Sequence, residues 1–273
     1  MMFPFVDGFH WTFGHVLFLT VFGIVLAVIA ATLMVSLRRT ARESKPGRAE
    51  AVRWKSEFHD LTGYERRCRH DLAGRVGHRH CHNEFDCREC ETHPKLASVT
   101  AAEFDFSTYG LDYPVDRFYH RGQTWVKCES DGTLTVGLTD LGKRLLGRPD
   151  RVNLPNAGEK VFANGRGWTA ARGGVEVRIL APVDGEVIAT GGPESEFYLR
   201  VKPLEANPNL AHLLRGQEVS GWVRAQLEQL QILVTPAGST ASLADGGVLM
   251  EDLPKAQPEA NWDKVYGEMF MAP

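Results

Sequence analysis

The chain has 273 residues, a formal net charge of −3 and a hydrophobic fraction of 43%. These values leave room for one or two modest domains with appended segments, and the near-neutral balance excludes a globally basic nucleic-acid binder. Glycine-rich nucleotide loops, nucleophile elbows and zinc-protease helices are absent, so none of the common enzyme signatures is carried.

Residues 1–15 form a short leading segment with Asp7 and no Lys or Arg. The run from Val16 to Leu37, VLFLTVFGIVLAVIAATLMVSL, is free of charge. At about 1.5 Å per residue it covers the roughly 30 Å hydrocarbon core of a bilayer, which predicts one transmembrane helix over 16–37. A cleaved signal peptide fits less well, because no basic residue precedes the run and no small-residue cleavage site follows it. Arg38, Arg39, Arg42, Lys45 and Arg48 crowd the C-terminal flank. Positive charge stays cytoplasmic, so the pattern predicts a single-pass protein of a bacterial-type inner membrane, N-terminus outside and the remainder cytoplasmic. Phe3, Phe5, Trp11 and Phe13 suit the outer interface, and His10 and His15 read as interfacial or solvated rather than as haem or quinone contacts.

Residues 38–60 read as a basic juxtamembrane linker, and 61–100 hold Cys68, Cys81, Cys87 and Cys90 at a spacing of C-x12-C-x5-C-x2-C. A reducing cytoplasm disfavours disulfides, so the group reads as a metal site or a reactive dithiol. A Cys-x-x-Cys turn lets two thiolates grip one ion and two further ligands close a tetrahedron, which points to structural zinc. An iron–sulfur cluster and metal-free thiols remain alternatives. His70, His78, His80, His82 and His93 could each replace a cysteine. Covalent haem is disfavoured because Glu91, not histidine, follows Cys90.

Residues 101–235 alternate apolar and polar positions in short runs broken by Gly and Pro, predicting a mainly β domain with short flanking helices. Val161, Val175, Val177, Ile179, Val183, Val187 and Ile188 supply β-branched side chains to a pleated interior. Pro155, Asn156 and Gly158 predict one turn, Asp184-Gly185 a tight hairpin, and Gly137 to Leu146 a short helix. Cys128 reads as a small buried packing residue. Glu176, Asp184, Glu186, Glu194 and Glu196 look like a solvated face rather than an acid–base pair.

The opening FYHRGQTWVKCESDGTLTVGLTD, the LPNAGE turn, the APVDGEV segment and the late Gly221-Trp222 together resemble the H protein of the glycine cleavage system in order and spacing. The resemblance implies a lipoyl-type β-sandwich, a barrel-sandwich hybrid. It also implies a carrier activity, in which a hairpin-tip lysine seven residues before an Ala-Pro pair holds lipoate. Here the pair is Ala181-Pro182, the equivalent position is Gly174, and no lysine lies between Lys160 and Lys202. Arg172 cannot substitute, since a guanidinium stays protonated and is not acylated. Gly173-Gly174 instead suits a tight turn. With the fold kept and the arm missing, no lipoate is expected, and the domain reads as an interaction module.

Residues 236–273 begin with a flexible composition and end in a tail where Trp262, Val265, Tyr266, Met269 and Phe270 recur on one helical face. That face either packs on the β domain or docks a partner, and Asp245 and Asn261 are candidate caps. The whole predicts a membrane-anchored, non-enzymatic adaptor or accessory subunit of a membrane complex, of respiratory or redox type. An electron carrier or redox sensor at the cysteines is the alternative, and a working glycine cleavage carrier is the weakest reading.

Overall fold

The computed structural model describes residues 12–43, 63, 66–97, 106–108, 110–235, 244–245 and 248–270. The expectations for Phe3, Phe5, His10, Trp11 and most of the basic linker lie outside them. The chain divides into two compact units, Met1–Pro46 and Gly47–Pro273.

In the first unit the charge-free run folds as α1 (Phe13–Glu43), with Phe13–Val35 long and apolar enough to cross a membrane. The helix outruns the expected 16–37 because the following Arg, Thr and Ala residues contain no helix breaker. None of its apolar window is buried by protein.

The second unit begins with the cysteine segment, which contains α2 (Arg69–Leu72), a 3-10 turn (Cys87–Glu89) and α3 (His93–Ala97). A small hairpin of β1 (Phe106–Thr108) and β2 (Leu111–Tyr113) follows. Next come β3 (Phe118–His120), β4 (Thr124–Cys128), β5 (Leu134–Leu138), α4 (Asp140–Leu146), β6 (Arg151–Asn153), β7 (Lys160–Val161), β8 (Arg166–Arg172), β9 (Val175–Leu180), β10 (Gly185–Thr190) and β11 (Leu199–Pro203). The chain ends with α5 (Gln217–Val234), β12 (Ala244–Asp245), β13 (Val248–Leu249), α6 (Leu253–Ala256) and α7 (Trp262–Phe270). A six-stranded sheet runs β3-β4-β5-β11-β10-β7 and a three-stranded sheet β6-β8-β9, with every pairing antiparallel. Side chains of both sheets meet in one core, where Trp168 of β8 stacks on Tyr198 at 5.0 Å.

Local chemistry explains several elements. Thr139 caps α4 by accepting a hydrogen bond from Gly142 N at 2.9 Å, so the helix starts at Asp140 rather than Gly137. Gly173 and Gly174, with φ of 56° and 82°, make the two-residue turn between β8 and β9.

Other expectations are corrected. Asp184-Gly185 is no hairpin: β9 and β10 belong to different sheets, and residues 181–184 carry the chain between them with Ala181 and Val183 buried. Pro182 has no N–H to continue a ladder there. Ile188 points outward at 40% exposed, because strand alternation buries its neighbour Val187. Cys128 is exposed at the end of β4 rather than packed in the core. The flanking helices are not all short, since α5 runs 18 residues and holds Gly221-Trp222, and helical residues outnumber strand residues among the described residues. The architecture is therefore mixed rather than mainly β.

In α7, Val265, Tyr266, Met269 and Phe270 are all buried, and the helix packs against β9 and α5. The apolar face of the tail thus completes its own domain. Asn261 accepts from Lys264 N at 3.1 Å, as expected of a cap. Asp245 lies in β12, and Asp252 instead caps α6 through Lys255 N.

Candidate functional site

Two places carry the residues singled out from the sequence, the tip of the β8–β9 hairpin and the cysteine segment.

At the tip, a Cβ on Gly173 or Gly174 would meet nothing within 4 Å, so the turn itself is open. Its base is fastened. Arg172 donates from Nη2 to both carboxylate oxygens of Asp252 at 2.8 and 2.9 Å, and from Nη1 to the carbonyls of Leu146 and Arg148. Gly173 N donates to Asp150 Oδ2 at 2.8 Å. A guanidinium, with several N–H donors on two terminal nitrogens, suits this use by gathering a carboxylate and two carbonyls at once. The hairpin is thus pinned to the loop after α4 and to the start of α6, and Gly174 offers no side chain for modification.

The cysteine segment is not a separate body but packs on the β domain. Cys68 and Cys81 sit on two short antiparallel stretches: Cys68 N donates to Arg79 O at 2.8 Å, Cys81 N to Arg66 O at 2.6 Å, and Arg67 bridges His80. Glu84 and Phe85 then turn the chain through positive φ, and Phe85 N donates to Cys81 Sγ at 3.3 Å. Asp86 caps the turn holding Cys87, and Cys90 N reaches Cys87 O at 3.4 Å. All four thiols are half-buried and free of disulfides. Among the described residues no group of three or more His, Cys, Asp or Glu side chains stands close enough together to hold a metal ion. The local turns do not close a tetrahedron of ligands among these residues.

The candidate histidines divide. His78, His80 and His82 are exposed. His70 Nε2 lies 3.0 Å from His93 Nδ1, and His70 Nδ1 lies 3.7 Å from Glu218. These two rings are engaged with each other. Burial pushes His70 down to about 4 and His93 below its ordinary value, against the pull of Glu218, so both are neutral at pH 7.

The fastening of the segment was not legible in the sequence. Arg69, 5% exposed, donates from Nε to Glu218 Oε2 at 2.9 Å and from its Nη groups to Glu218 and the carbonyls of Ala211 and Leu213. Burial opposes both charges. The attraction between them wins, raising the guanidinium and holding the carboxyl below its usual range. Gly221 permits the close approach, since a Cβ there would stand 2.0 Å from Leu72 O. A second tie joins Arg88 to Asp184 at 3.1 Å, with Asp86 at 2.9 Å on the same guanidinium. Asp184 also accepts from Ala163 N, so this carboxylate, still solvated on one side, has a structural role as well. Cys87 is raised by burial, with Arg69 pulling the other way.

Comparison with known proteins bears on the β domain. The family model for the glycine cleavage H-protein matches residues 117–192. The glycine cleavage system H protein of Ralstonia nicotianae is 37% identical over 106 residues, 34% of this chain and 84% of that one. The chain belongs to the glycine cleavage H-protein family. The H protein of an Azoarcus species is 36% identical over 112 residues, covering 37% of this chain and 88% of its own. A crystal structure of the H protein from Mycobacterium marinum aligns with 41% of this chain and 99% of its own, at 22% identity and a TM-score of 0.35. The matched H-protein segment runs from β3 to the end of β10 and contains the β8–β9 hairpin. The cysteine segment and α1 lie outside it.

Proposed function

We propose that the protein is a membrane-anchored, non-enzymatic adaptor or accessory subunit in which an H-protein domain of barrel-sandwich type serves as an interaction module without lipoate. The observation that carries this reading is the hairpin tip: by its spacing to Ala181-Pro182 Gly174 takes the place of the family's modified lysine, and it lies in a glycine pair whose base is pinned by Arg172 and Asp150. Without an amine no amide to lipoate forms, and the carrier step of the family has no arm to run on. Family members are carriers rather than enzymes, so loss of the arm leaves recognition as the remaining capacity of the domain.

The anchor is α1, whose apolar surface has no protein covering, with the cytoplasmic side assigned by the arginines that follow it. The partner is a protein of the same membrane, of redox or respiratory type, and the cysteines form a structural metal site, with zinc as the metal. A group of four thiols that follows the apolar helix in the sequence also supports a second reading, an electron carrier or redox sensor using iron–sulfur or reactive thiols.

Intact-mass measurement of the full chain after co-expression with a lipoate ligase tests the central claim. The unmodified mass is expected, and a lipoyl increment would overturn it. Fractionation with alkaline washing tests the anchor: retention in the membrane pellet is expected, and release of a shortened chain would identify a cleaved signal instead.

A further inference from the structure

We infer that a cavity of the H-protein domain, lined from β2, β3, β4 and the start of α4, binds a short ω-amino acid, with the ligand carboxylate at Lys143 and its ammonium at Asp112. The inference goes beyond the adaptor reading and does not depend on lipoate, on a metal or on the membrane anchor.

The cavity has a volume of about 240 Å³, and Pro114, Trp125 and Leu138 give it apolar surface. Tyr119, which also lines it, donates its hydroxyl to Pro114 O at 2.7 Å and so fixes that edge. Most of the charge in the lining is already matched. Arg117 pairs with Glu196 at 2.6 Å, and its guanidinium carbon lies 4.1 Å from the centre of the Trp125 ring. Asp140 accepts from Asp112 N at 3.3 Å and from Arg144 at 3.4 Å. Two opposite charges are left over. The Lys143 ammonium and the Asp112 carboxylate line the same cavity, yet they pair neither with each other nor with any other charge among the described residues. A third group is also unmet: Trp125 is 2% exposed, and its buried indole N–H has no acceptor among the described residues.

An unpaired ammonium and an unpaired carboxylate that do not reach each other are bridged by a molecule carrying both charges on a spacer. The ligand carboxylate accepts from the three N–H donors of Lys143, and the ligand ammonium donates to Asp112. The same carboxylate supplies the acceptor that the Trp125 N–H lacks, and an unmet buried donor is costly to leave. Methylenes between the two ends cover Pro114 and Leu138 and take apolar area out of water. Singly charged molecules fit less well. An anion meets the carboxylates of Asp112, Asp140 and Glu196, and a cation meets Lys143 and Arg117, whereas a zwitterion brings no net charge. The volume falls below the roughly 300 Å³ at which sites for drug-sized ligands begin, so the spacer is short.

The test is calorimetric titration of the full chain in detergent with 4-aminobutyrate, 5-aminopentanoate and 6-aminohexanoate, and with butyrate and butylamine as singly charged controls. Saturable binding of at least one of the three amino acids is expected, about tenfold or more tighter than either control, the worth of one hydrogen bond between charged groups. Lys143→Met and Asp112→Asn change exposed side chains, so both variants should fold, and each should weaken binding about tenfold. Lys255→Met, an exposed lysine outside the cavity, should bind as the wild type does. In nitrogen-15 spectra the Trp125 indole resonance should move on saturation. No saturable binding of any of the three amino acids would overturn the inference, and so would butyrate or butylamine binding as tightly. Wild-type affinity in Lys143→Met or Asp112→Asn, or an unmoved Trp125 resonance, would place the ligand elsewhere and overturn it too.

Discussion

The β8–β9 hairpin and the cysteine segment are held in place by opposite means. The hairpin buries Trp168, Ala170, Val177 and Ile179 and is laced by a ladder from Arg166–Leu180 to Arg172–Val175. Among the described residues of 66–97, Phe85 is the only buried hydrophobic, while Arg69, His70, Asp71 and Asp86 are buried alongside it. The strands of the first region are stabilised mainly by apolar area, and polar contacts of Arg172 and Asp150 fasten only its tip. The second depends on particular charges meeting particular carbonyls and carboxylates, so removing one partner strands the other. Apolar packing is tolerant and distributed; polar fastening is specific and fails locally.

Four experiments sharpen or break that contrast. Phe270→Ala empties a fully buried site of α7 beside β9 and should destabilise the whole second unit by about 3–5 kcal/mol in urea unfolding. A purely local loss there would deny the shared core. Arg69→Ala leaves Glu218 buried without its main partner, at a cost of about 3–5 kcal/mol. Hydrogen exchange should show that cost as lost protection over 66–97 and the start of α5, with the six-stranded sheet still protected. If the sheet opens in step, the cysteine segment is not a local unit.

The third experiment is a pH series. His120 is 2% exposed and donates through Nε2 to Asn164 Oδ1 at 2.8 Å while its Nδ1 accepts from Gly122 N at 3.0 Å. Burial pushes it down to about 3, and His212 is lowered for the same reason. The unfolded chain therefore binds more protons below pH 6.5, and stability present above that value is lost as pH falls toward 3. At pH 5 His120 alone should remove about 2 kcal/mol, and His120→Gln should flatten the slope. An unchanged slope in that variant would place the acid sensitivity elsewhere. The smallest effect belongs to Cys128→Ser, expected within about 0.5 kcal/mol because the side chain is exposed. A larger loss would restore the core role that its strand position suggested.

What the sequence showed follows the same division. Period-two alternation and paired glycines have one structural meaning, so the strands around Val177 and Val187 and the Gly173-Gly174 turn were readable. The tail was readable too, since Trp262, Val265, Tyr266, Met269 and Phe270 can share a face only as a helix. Alternation could not say which sheet a strand joins, and so Asp184-Gly185 looked like a hairpin. The pairing of Arg69 with Glu218 joins residues 149 apart through chemistry that every surface arginine and glutamate shares. A glycine preceding Trp222 gave no sign that Leu72 would lie against it. At the cysteines, spacing identified the group, whereas Arg121, whose guanidinium lies 4.1 Å from the centre of the Phe85 ring, comes from the distant turn after β3.

The burial of α7 has a consequence for the order of synthesis. The side chains that close the core over β9 belong to the last ten described residues of the chain, and the Asp252 that receives Arg172 lies 80 residues after it. A ribosome that has finished both sheets has still not delivered the pieces that complete them. Until those residues emerge, the nascent domain exposes an apolar face on β9, and chaperone occupancy should peak in that interval.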